Sequence, residues 1–288
     1  MSSFLRFLAR RLLATIPLLP AVSVIVFFLI RLLPGDPSYM LAGPYATPER
    51  IGEVRSNLGL DQPILTQHAR WIERVAQGDL GTSSRTSQPV WRDIRQRLPA
   101  TLQLVVGAVL LSILVGVPLG VAVAARPGGF ADRAVFLYGM LAGSLPDFWI
   151  GLLLILVFFY ALAWAPAPVG QLEFAVSAPE HVTGAYIIDA AITGNWPVFA
   201  SAVSQIVLPL ATLVMVYMPV VLKTARSTME EMLESRFVLQ ARAAGLSRAM
   251  QVRYALPPVV TFIGIVFWFL LGGAVLVETI FAWGGLGQ

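Results

Sequence analysis

The chain has 288 residues, of which 57% are hydrophobic and 12% charged, and its mean hydropathy is +0.75. A soluble domain carries about 25% charged residues, so this composition excludes an ordinary soluble protein and indicates one embedded in a membrane. The net charge of +4 comes from arginines spread between apolar runs, not from the compact basic patch of a nucleic-acid-binding domain. The sequence has no cysteine and only two histidines, His68 and His181, which excludes thiol chemistry and a multi-histidine metal centre.

Five apolar runs predict transmembrane helices within a single domain of residues 1–288. A span needs about 20 mostly apolar residues, because each residue adds roughly 1.5 Å across a hydrocarbon core about 30 Å thick. The predicted spans cover residues 12–30, 98–125, 134–163, 199–222 and 255–277. The first run has no small-residue cleavage site, so we expect an uncleaved helix and not a signal peptide.

The basic residues of the loops predict the orientation, since short cytoplasmic loops are enriched in Lys and Arg. Residues 1–11, 126–133 and 223–253 carry three, two and six Lys or Arg residues, whereas residues 164–189 carry no Lys or Arg. These segments agree on a cytoplasmic N-terminus. The 31–97 segment then forms an outer loop although it contains nine arginines. It exceeds about 60 residues, a length at which the charge rule loses force.

The outer loop has the pattern of a folded segment. Thr47 is a predicted N-cap of a short helix over 47–58, with Pro48 and Glu49 in its first turn. A second amphipathic helix is predicted over residues 62–75, where apolar side chains recur at helical spacing. Two interpretations remain equally open, a folded cap on the outer surface and a platform for a partner or lid on a pathway.

The inner segment, residues 223–257, predicts a helix, a glycine corner and a second short helix. One helical face is apolar, because the side chains at intervals of four residues are Met229, Leu233, Phe237 and Ala241. Gly245 is a natural helix stop and Ser247 can cap the next helix. The pattern alone fits either an ordinary amphipathic surface pair or a knob that binds a cytoplasmic partner.

Six motifs occur in consistent order and spacing along the chain. They are LLPGDP at 32–37, LGLDQPILTQHARW at 58–71, RLPATLQL at 97–104, SLPDFWIGLLL at 144–154, ARAAGLSRAMQVRYALPPVV at 241–260 and VETIFAWGGLGQ at 277–288. Together they resemble the permease subunits of ABC importers of the oligopeptide, dipeptide and nickel type. The resemblance implies an all-α polytopic membrane protein with the permease fold of type I ABC importers. Five spans are visible, and the chain stops at Gln288, where the family continues into a sixth span.

The resemblance also implies partners and a location. The expected partners are a homologous second permease subunit, two cytoplasmic ATPase subunits, an extracytoplasmic solute-binding protein and membrane lipid, with no nucleic acid. The chain itself would bind no cofactor, since ATP and Mg²⁺ would be used by the ATPase subunits. We therefore expect a multi-pass protein of the prokaryotic inner membrane that imports peptides or a related small solute and is not itself an enzyme.

The family's coupling motif is similar to one segment of the inner loop. The resemblance assigns ATPase coupling to Ala241, Arg242, Ala243, Ala244, Gly245, Leu246 and Ser247. The small side chains would permit close approach of a partner helix, and glycine would permit the sharp turn.

Two acidic residues lie in or at the end of the apolar runs. Asp147 follows Pro146 and stands where the family commonly has a small neutral residue. An ionised Asp at a helix centre costs roughly 2.5–3.5 kcal/mol on insertion scales, so Asp147 is a candidate for the translocation path, or else bonds within the proline kink. Glu278, at the end of the fifth run, is a candidate for a structural or subunit-interface role.

Other functions are less well supported. A P-loop requires Gly-Lys-[Ser/Thr], and the only lysine, Lys223, follows leucine. The serious alternative is an ion-coupled secondary transporter, which typically has repeated halves and intramembrane ionisable groups. No internal repeat is visible in this sequence. A channel or a membrane anchor is a third possibility, against which the organised inner segment argues.

Overall fold

The computed structural model describes residues 2–32, 37–43, 45–57, 59–83, 85–124, 126–236 and 248–288. In these ranges all the regular secondary structure is helical, and the one β contact is an isolated bridge between Thr82 and Pro89. The chain divides into two compact units, Met1–Asp93 and Ile94–Gln288. The predicted all-α architecture is confirmed.

The first unit contains five helices: α1 Ser2–Thr15, α2 Leu18–Leu32, α3 Pro37–Ala42, α4 Pro48–Asn57 and α5 Ile64–Ala76. Thr47 caps α4 as predicted, because the amide of Arg50 donates to its Oγ1 at 3.4 Å. Helix α5 contacts α2 through aromatic rings, with the centroid of His68 5.0 Å from that of Phe27. The outer loop is therefore folded in the part that the structure describes.

The second unit is built on long helices. They are α6 Val90–Ala124, which starts at the end of the first unit, α7 Phe130–Ser144, α8 Asp147–Leu154 with a π-helical continuation over Ile155–Ala161, α9 Tyr186–Thr193, α10 Trp196–Glu234 and α11 Arg248–Ile280. The largest apolar core lies where four of them, α6, α8, α10 and α11, meet. Its members include Leu104, Ile150, Leu213, Leu270 and Trp283.

Glycines on α6 allow α10 to approach closely. A Cβ placed at Gly120 would lie 2.7 Å from the carbonyl oxygen of Leu222, and one at Gly116 would lie 3.3 Å from Met218. Small residues at helix interfaces permit such close packing in membranes. The residue numbers of the contacting pairs, Gly116 with Met218 and Gly120 with Leu222, increase together along both helices, so α6 and α10 run parallel.

Helix α7 runs antiparallel to α10. Along α7 and α10, Asp132 pairs with Arg226 near one end, and the Cβ position of Gly139 lies 4.0 Å from Pro219 further along. This alternation of direction is the relation that successive membrane crossings require. Helix α11 also contacts α10, since the Cβ position of Gly273 lies 2.9 Å from the Cζ of Tyr217.

The third predicted span is not one continuous helix. Helices α7 and α8 form a pair bent by 104°. The break falls at Leu145 and Pro146, whose backbones are extended, with ψ of 134° and 144°. Proline lacks an amide hydrogen and disfavours the helical conformation of the preceding residue. The sequence predicts a kink at Pro146 but not so large a bend.

Within the described residues, three helices are long and apolar enough to cross a membrane: Ala9–Leu32, Val90–Ala124 and Trp196–Met232. The bent pair of α7 and α8 makes a fourth if it is one span, and Gly264–Ile280 is a shorter apolar helix. Helix α10 continues beyond the predicted end of its span at residue 222 and stops at Glu234. The inner segment therefore begins as a continuation of α10.

Candidate functional site

Asp147 is the first residue of α8, directly after the break in the third apolar run. Its side chain is partly exposed, and the hydroxyl of Tyr217 on α10 donates a hydrogen bond to its Oδ2 at 2.9 Å. A carboxylate at a helix N-terminus interacts favourably with the helix dipole, typically by about 0.3–1 kcal/mol. The kink therefore supplies Asp147 with a stabilising position, and α10 supplies its partner.

Gly273 on α11 completes this polar junction. A Cβ at this position would lie 2.6 Å from Asp147 Oδ2 and would also overlap the hydroxyl of Tyr217. Helix α11 can therefore pass the Asp147–Tyr217 pair only because residue 273 has no side chain. Three helices, α8, α10 and α11, meet at one hydrogen bond inside an otherwise apolar region.

The carboxylate of Asp147 keeps hydrogen-bonding capacity. In the described part of the chain, it forms no ion pair and its Oδ1 accepts no hydrogen bond. A carboxylate accepts several donors through its two oxygens. The site can therefore bind a further donor, and a cationic donor would add a charge interaction.

Glu278 occupies a different environment near the end of α11. Its side chain is 0% exposed, and the amide of Gly287 donates to its Oε2 at 2.7 Å. A Cβ at Gly287 would lie 2.9 Å from the same oxygen, so glycine is required for this approach. These contacts hold the 281–288 segment against α11.

The same segment is also attached to the first part of α6. Trp283 is 1% exposed, and its Nε1 donates to the carbonyl oxygen of Ala100 at 3.0 Å. The amide of Leu286 donates to Thr101 Oγ1 at 2.9 Å. The WGGLGQ motif thus forms a folded corner between α11 and α6.

Asp189 is a buried acid that the sequence analysis missed. Its Oδ1 accepts hydrogen bonds from the amide and the hydroxyl of Thr183 at 2.7 and 2.6 Å, and its Oδ2 accepts from the amide of Gly184 at 2.9 Å. Burial would raise the pKa of Asp189, but the hydrogen bonds from Thr183, Gly184 and Val182 together hold that pKa below its ordinary value of 3.8. The sequence feature that could have indicated this buried acid is the turn-forming pair Thr183 and Gly184, six and five residues before Asp189.

A second polar cluster lies at the opposite end of the unit. Arg226 Nη1 contacts Asp132 Oδ1 at 2.7 Å, and Arg226 Nε contacts Glu230 Oε1 at 2.9 Å. The amide of Gly128 donates to Asp132 Oδ2 at 2.9 Å. Arg226 therefore connects the start of α7 to the C-terminal part of α10. Sequence spacing could reveal the Arg226–Glu230 pair, but not the partner 94 residues away.

The seven residues that the resemblance assigns to ATPase coupling, Ala241 to Ser247, lie outside the described residues. On one side of them, Met229 on α10 is 3% exposed and packs against Ala124, in agreement with the predicted apolar face. On the other side, α11 starts at Arg248. Among the described residues, no three His, Asp or Glu side chains gather into a metal site.

Comparison with known proteins identifies the family. The family model described as "Binding-prot-dependent transport system membrane comp, N-term" matches residues 4–105, and the one described as "Binding-protein-dependent transport system inner membrane component" matches residues 116–288.

Three relatives show the same similarity over nearly the whole chain. A probable D,D-dipeptide transport system permease protein of Escherichia coli (strain K12) is 40% identical over 99% of this chain and 85% of its own length. A di/tripeptide transport system permease protein of Pseudomonas aeruginosa is 38% identical over 99% of this chain and 86% of its own length. A glutathione transport system permease protein of Salmonella paratyphi A is 35% identical over 99% of this chain and 85% of its own length.

These matches agree with the helical architecture and with the resemblance of the six motifs. The second family model alone covers residues 116–288, which is more than half of the chain. The relatives share at least 35% identity with it over almost its full length. The chain therefore belongs to the family of binding-protein-dependent transport system inner membrane components, the permease subunits of ABC importers.

Proposed function

We propose that this chain forms one half of the translocation path of an ATP-driven importer for peptides or a related small solute. Support comes from the relatives, whose names refer to transport of D,D-dipeptides, di- and tripeptides, and glutathione. The other half is a homologous permease subunit. Two cytoplasmic ATPase subunits bind and hydrolyse ATP with Mg²⁺, and an extracytoplasmic solute-binding protein delivers the solute.

The observation that carries this proposal is the match of two models of the same transport family, over residues 4–105 and 116–288. The match favours the importer over an ion-coupled secondary transporter. In the proposed orientation, the N-terminus lies in the cytoplasm of a prokaryotic cell, and the 223–257 segment faces the ATPase subunits.

The proposed coupling path begins at Ala241–Ser247, where an ATPase subunit docks. Force applied there reaches α10, because this helix is continuous from Trp196 to Glu234. Arg226 transmits the motion to α7 through its ion pair with Asp132, whose oxygen lies 2.7 Å away. Packed helices that move as rigid bodies can then alternate the side on which the path is open.

Asp147 is the proposed contact for a cationic group of the solute. A peptide carries an ammonium group at its N-terminus, and Asp147 Oδ1 accepts no hydrogen bond from any described group. Ionisable residues in spans usually face a partner or a water-filled cavity, and discontinuous helices commonly form substrate sites in transporters. Tyr217 would hold the carboxylate in place through Oδ2.

Uptake by an Asp147→Asn variant tests this role. We expect the uptake of peptides with a free N-terminus to fall about tenfold, which corresponds to about 1.4 kcal/mol. Uptake of the same peptides with an acetylated N-terminus should change little. Equal loss for both peptides, or no loss for either, would contradict a charge contact with the solute.

Co-purification tests the proposed assembly. The tagged chain, extracted from its native membrane in mild detergent, should retain ATPase subunits, and Gly245→Trp should release them while the chain stays in the membrane. Gly52→Trp is the control, because Gly52 lies in helix α4 of the outer segment and its Cβ position has no neighbour within 4 Å. Retention of the ATPase by the Gly245 variant, with normal uptake, would refute the coupling role.

A further inference from the structure

A groove on the surface of the second unit runs between α7 and α10. Its volume is about 410 Å³, and its walls include Phe136, Met140, Val216 and Val220. Phe136 and Met140 are 60% and 55% exposed, so large apolar surfaces remain uncovered. Ligand pockets in proteins usually enclose about 300–1,000 Å³, so the groove can hold part of a small molecule.

Glycines and a proline create this groove. No atom lies within 4 Å of the Cβ position of Gly143, and the Cβ position of Gly139 is 4.0 Å from Pro219. Pro219 cannot donate to the carbonyl of Met215 four residues earlier, and the hydroxyl of Tyr138 on α7 donates to that carbonyl at 2.7 Å. This hydrogen bond fixes α7 against α10, so the groove is a preformed feature.

One end of the groove is basic. Lys223 and Arg226 line this end, and an adjoining cavity of about 400 Å³ is lined by Arg133 and shares Phe136 and Arg226 with the groove. Asp132 and Glu230 pair with Arg226. Lys223 and Arg133 are exposed, and no described residue forms an ion pair with either of them.

The length of the groove fits one leaflet of a bilayer. Arg133, which lines the adjoining cavity, and Gly143, which lines the groove, are ten residues apart on α7, roughly 15 Å at the helical rise. A hydrocarbon core is about 30 Å thick, so the groove and the adjoining cavity together span about half of it. The basic end then lies where phospholipid headgroups begin, and the apolar walls lie along the acyl chains.

We propose that this groove binds one anionic phospholipid, with an acyl chain along its apolar walls and the phosphate at Lys223 and Arg133. Basic pockets between membrane helices are suited to anionic headgroups. A bound lipid would brace α7 against α10 beside the Arg226 ion pairs. A zwitterionic lipid would fill the same walls but would gain less from the two free cations.

Lipid binding to the chain in its native assembly tests the proposal. The complex is purified with the subunits that accompany it, depleted of lipid, and titrated with phosphatidylglycerol or phosphatidylcholine of identical acyl chains, and bound lipid is counted by native mass spectrometry. We expect one phosphatidylglycerol per chain, bound about 10- to 30-fold more tightly than phosphatidylcholine. The double variant Lys223→Gln, Arg133→Gln should abolish this preference.

A second variant tests the apolar walls. Gly143→Leu fills the groove and should displace both lipids. Gly272→Leu is the matched control, since it also lies in a helix, has no atom within 4 Å of its Cβ position and lies outside the groove. Equal affinity for the two lipids in the wild type, or unchanged binding in the Gly143 variant, would overturn the proposal.

The competing occupant is the second permease subunit, and cross-linking distinguishes it. The chain has no cysteine, so Gly143→Cys introduces a single reactive group. A cross-link from this position to another permease chain would refute the lipid site. Labelling by a membrane-soluble maleimide without such a cross-link is the result that supports it.

Discussion

Replacing Gly120 by alanine should destabilise the packing of α6 against α10, although alanine is the better helix former. The new Cβ would lie 2.7 Å from the carbonyl oxygen of Leu222, 2.9 Å from the Cβ of Ala225 and 3.1 Å from the amide nitrogen of Arg226. Two of these neighbours are backbone atoms and cannot rotate away. The two helices must therefore move apart.

The magnitude follows from two opposing effects. Alanine gains about 0.8–1.0 kcal/mol over glycine inside a helix, whereas overpacking a well-packed site costs typically 1–3 kcal/mol. We expect a net loss of about 1 kcal/mol for Gly120→Ala. Gly272→Ala is the matched control, because no atom lies within 4 Å of its Cβ position, and it should be neutral or slightly stabilising.

Thermal unfolding of the purified chain in detergent measures this difference. For a chain of this size, 1 kcal/mol shifts the midpoint by about 2–4 °C, so the Gly120 variant should melt lower than the wild type and the Gly272 variant should not. If both variants shift the midpoint equally and in the same direction, close approach at Gly120 does not determine the packing of α6 and α10.

Three further predictions concern the other polar contacts. The pKa of Asp189 is lowered in the folded state, so its contribution to stability should be complete above pH 3.8 and should be lost as the pH falls further through the folded-state pKa. Asp189→Asn should therefore weaken the pH dependence of the thermal unfolding midpoint between about pH 6 and 3. Trp283→Phe should lower the unfolding midpoint by a few degrees through loss of the bond to Ala100, whereas an unchanged midpoint would contradict an anchoring role. Arg226→Met should leave Asp132 buried without its cation and lower ATP-driven uptake more than Lys223→Met.

The sequence predicted the family, the all-helical fold and several local features correctly. The N-cap Thr47 depends on neighbouring residues, which a linear pattern reports directly. The proline at position 146 likewise indicated a kink. Its angle of 104° could not be predicted, because it depends on how α8 packs against α10 and α11.

The periodicity of the sequence could not predict the polar contacts between helices. Tyr217 is 70 residues from Asp147, and Arg226 is 94 residues from Asp132. A single sequence contains no signal that pairs residues so far apart. The buried role of Asp189 was missed for a related reason, since its donors lie in a turn before a short helix that the pattern did not distinguish from a loop.

The geometry suggests how an importer can combine rigidity with movement. The hydrogen bond from Trp283 holds the 281–288 corner to α6, and the Asp189 bonds fix the turn before α9. The broken pair of α7 and α8 packs against α10 through the polar contacts of Tyr217 and Arg226 and through the apolar core. The helical backbone is interrupted at Leu145 and Pro146, and we infer that this break is where the unit deforms during transport.

The most direct measurement of the central claim is peptide uptake into proteoliposomes that contain this chain with its permease, ATPase and solute-binding partners. The account predicts uptake that requires ATP and every partner and that persists when ion gradients are collapsed. Uptake by this chain alone, driven by an ion gradient in the absence of ATP, would contradict it.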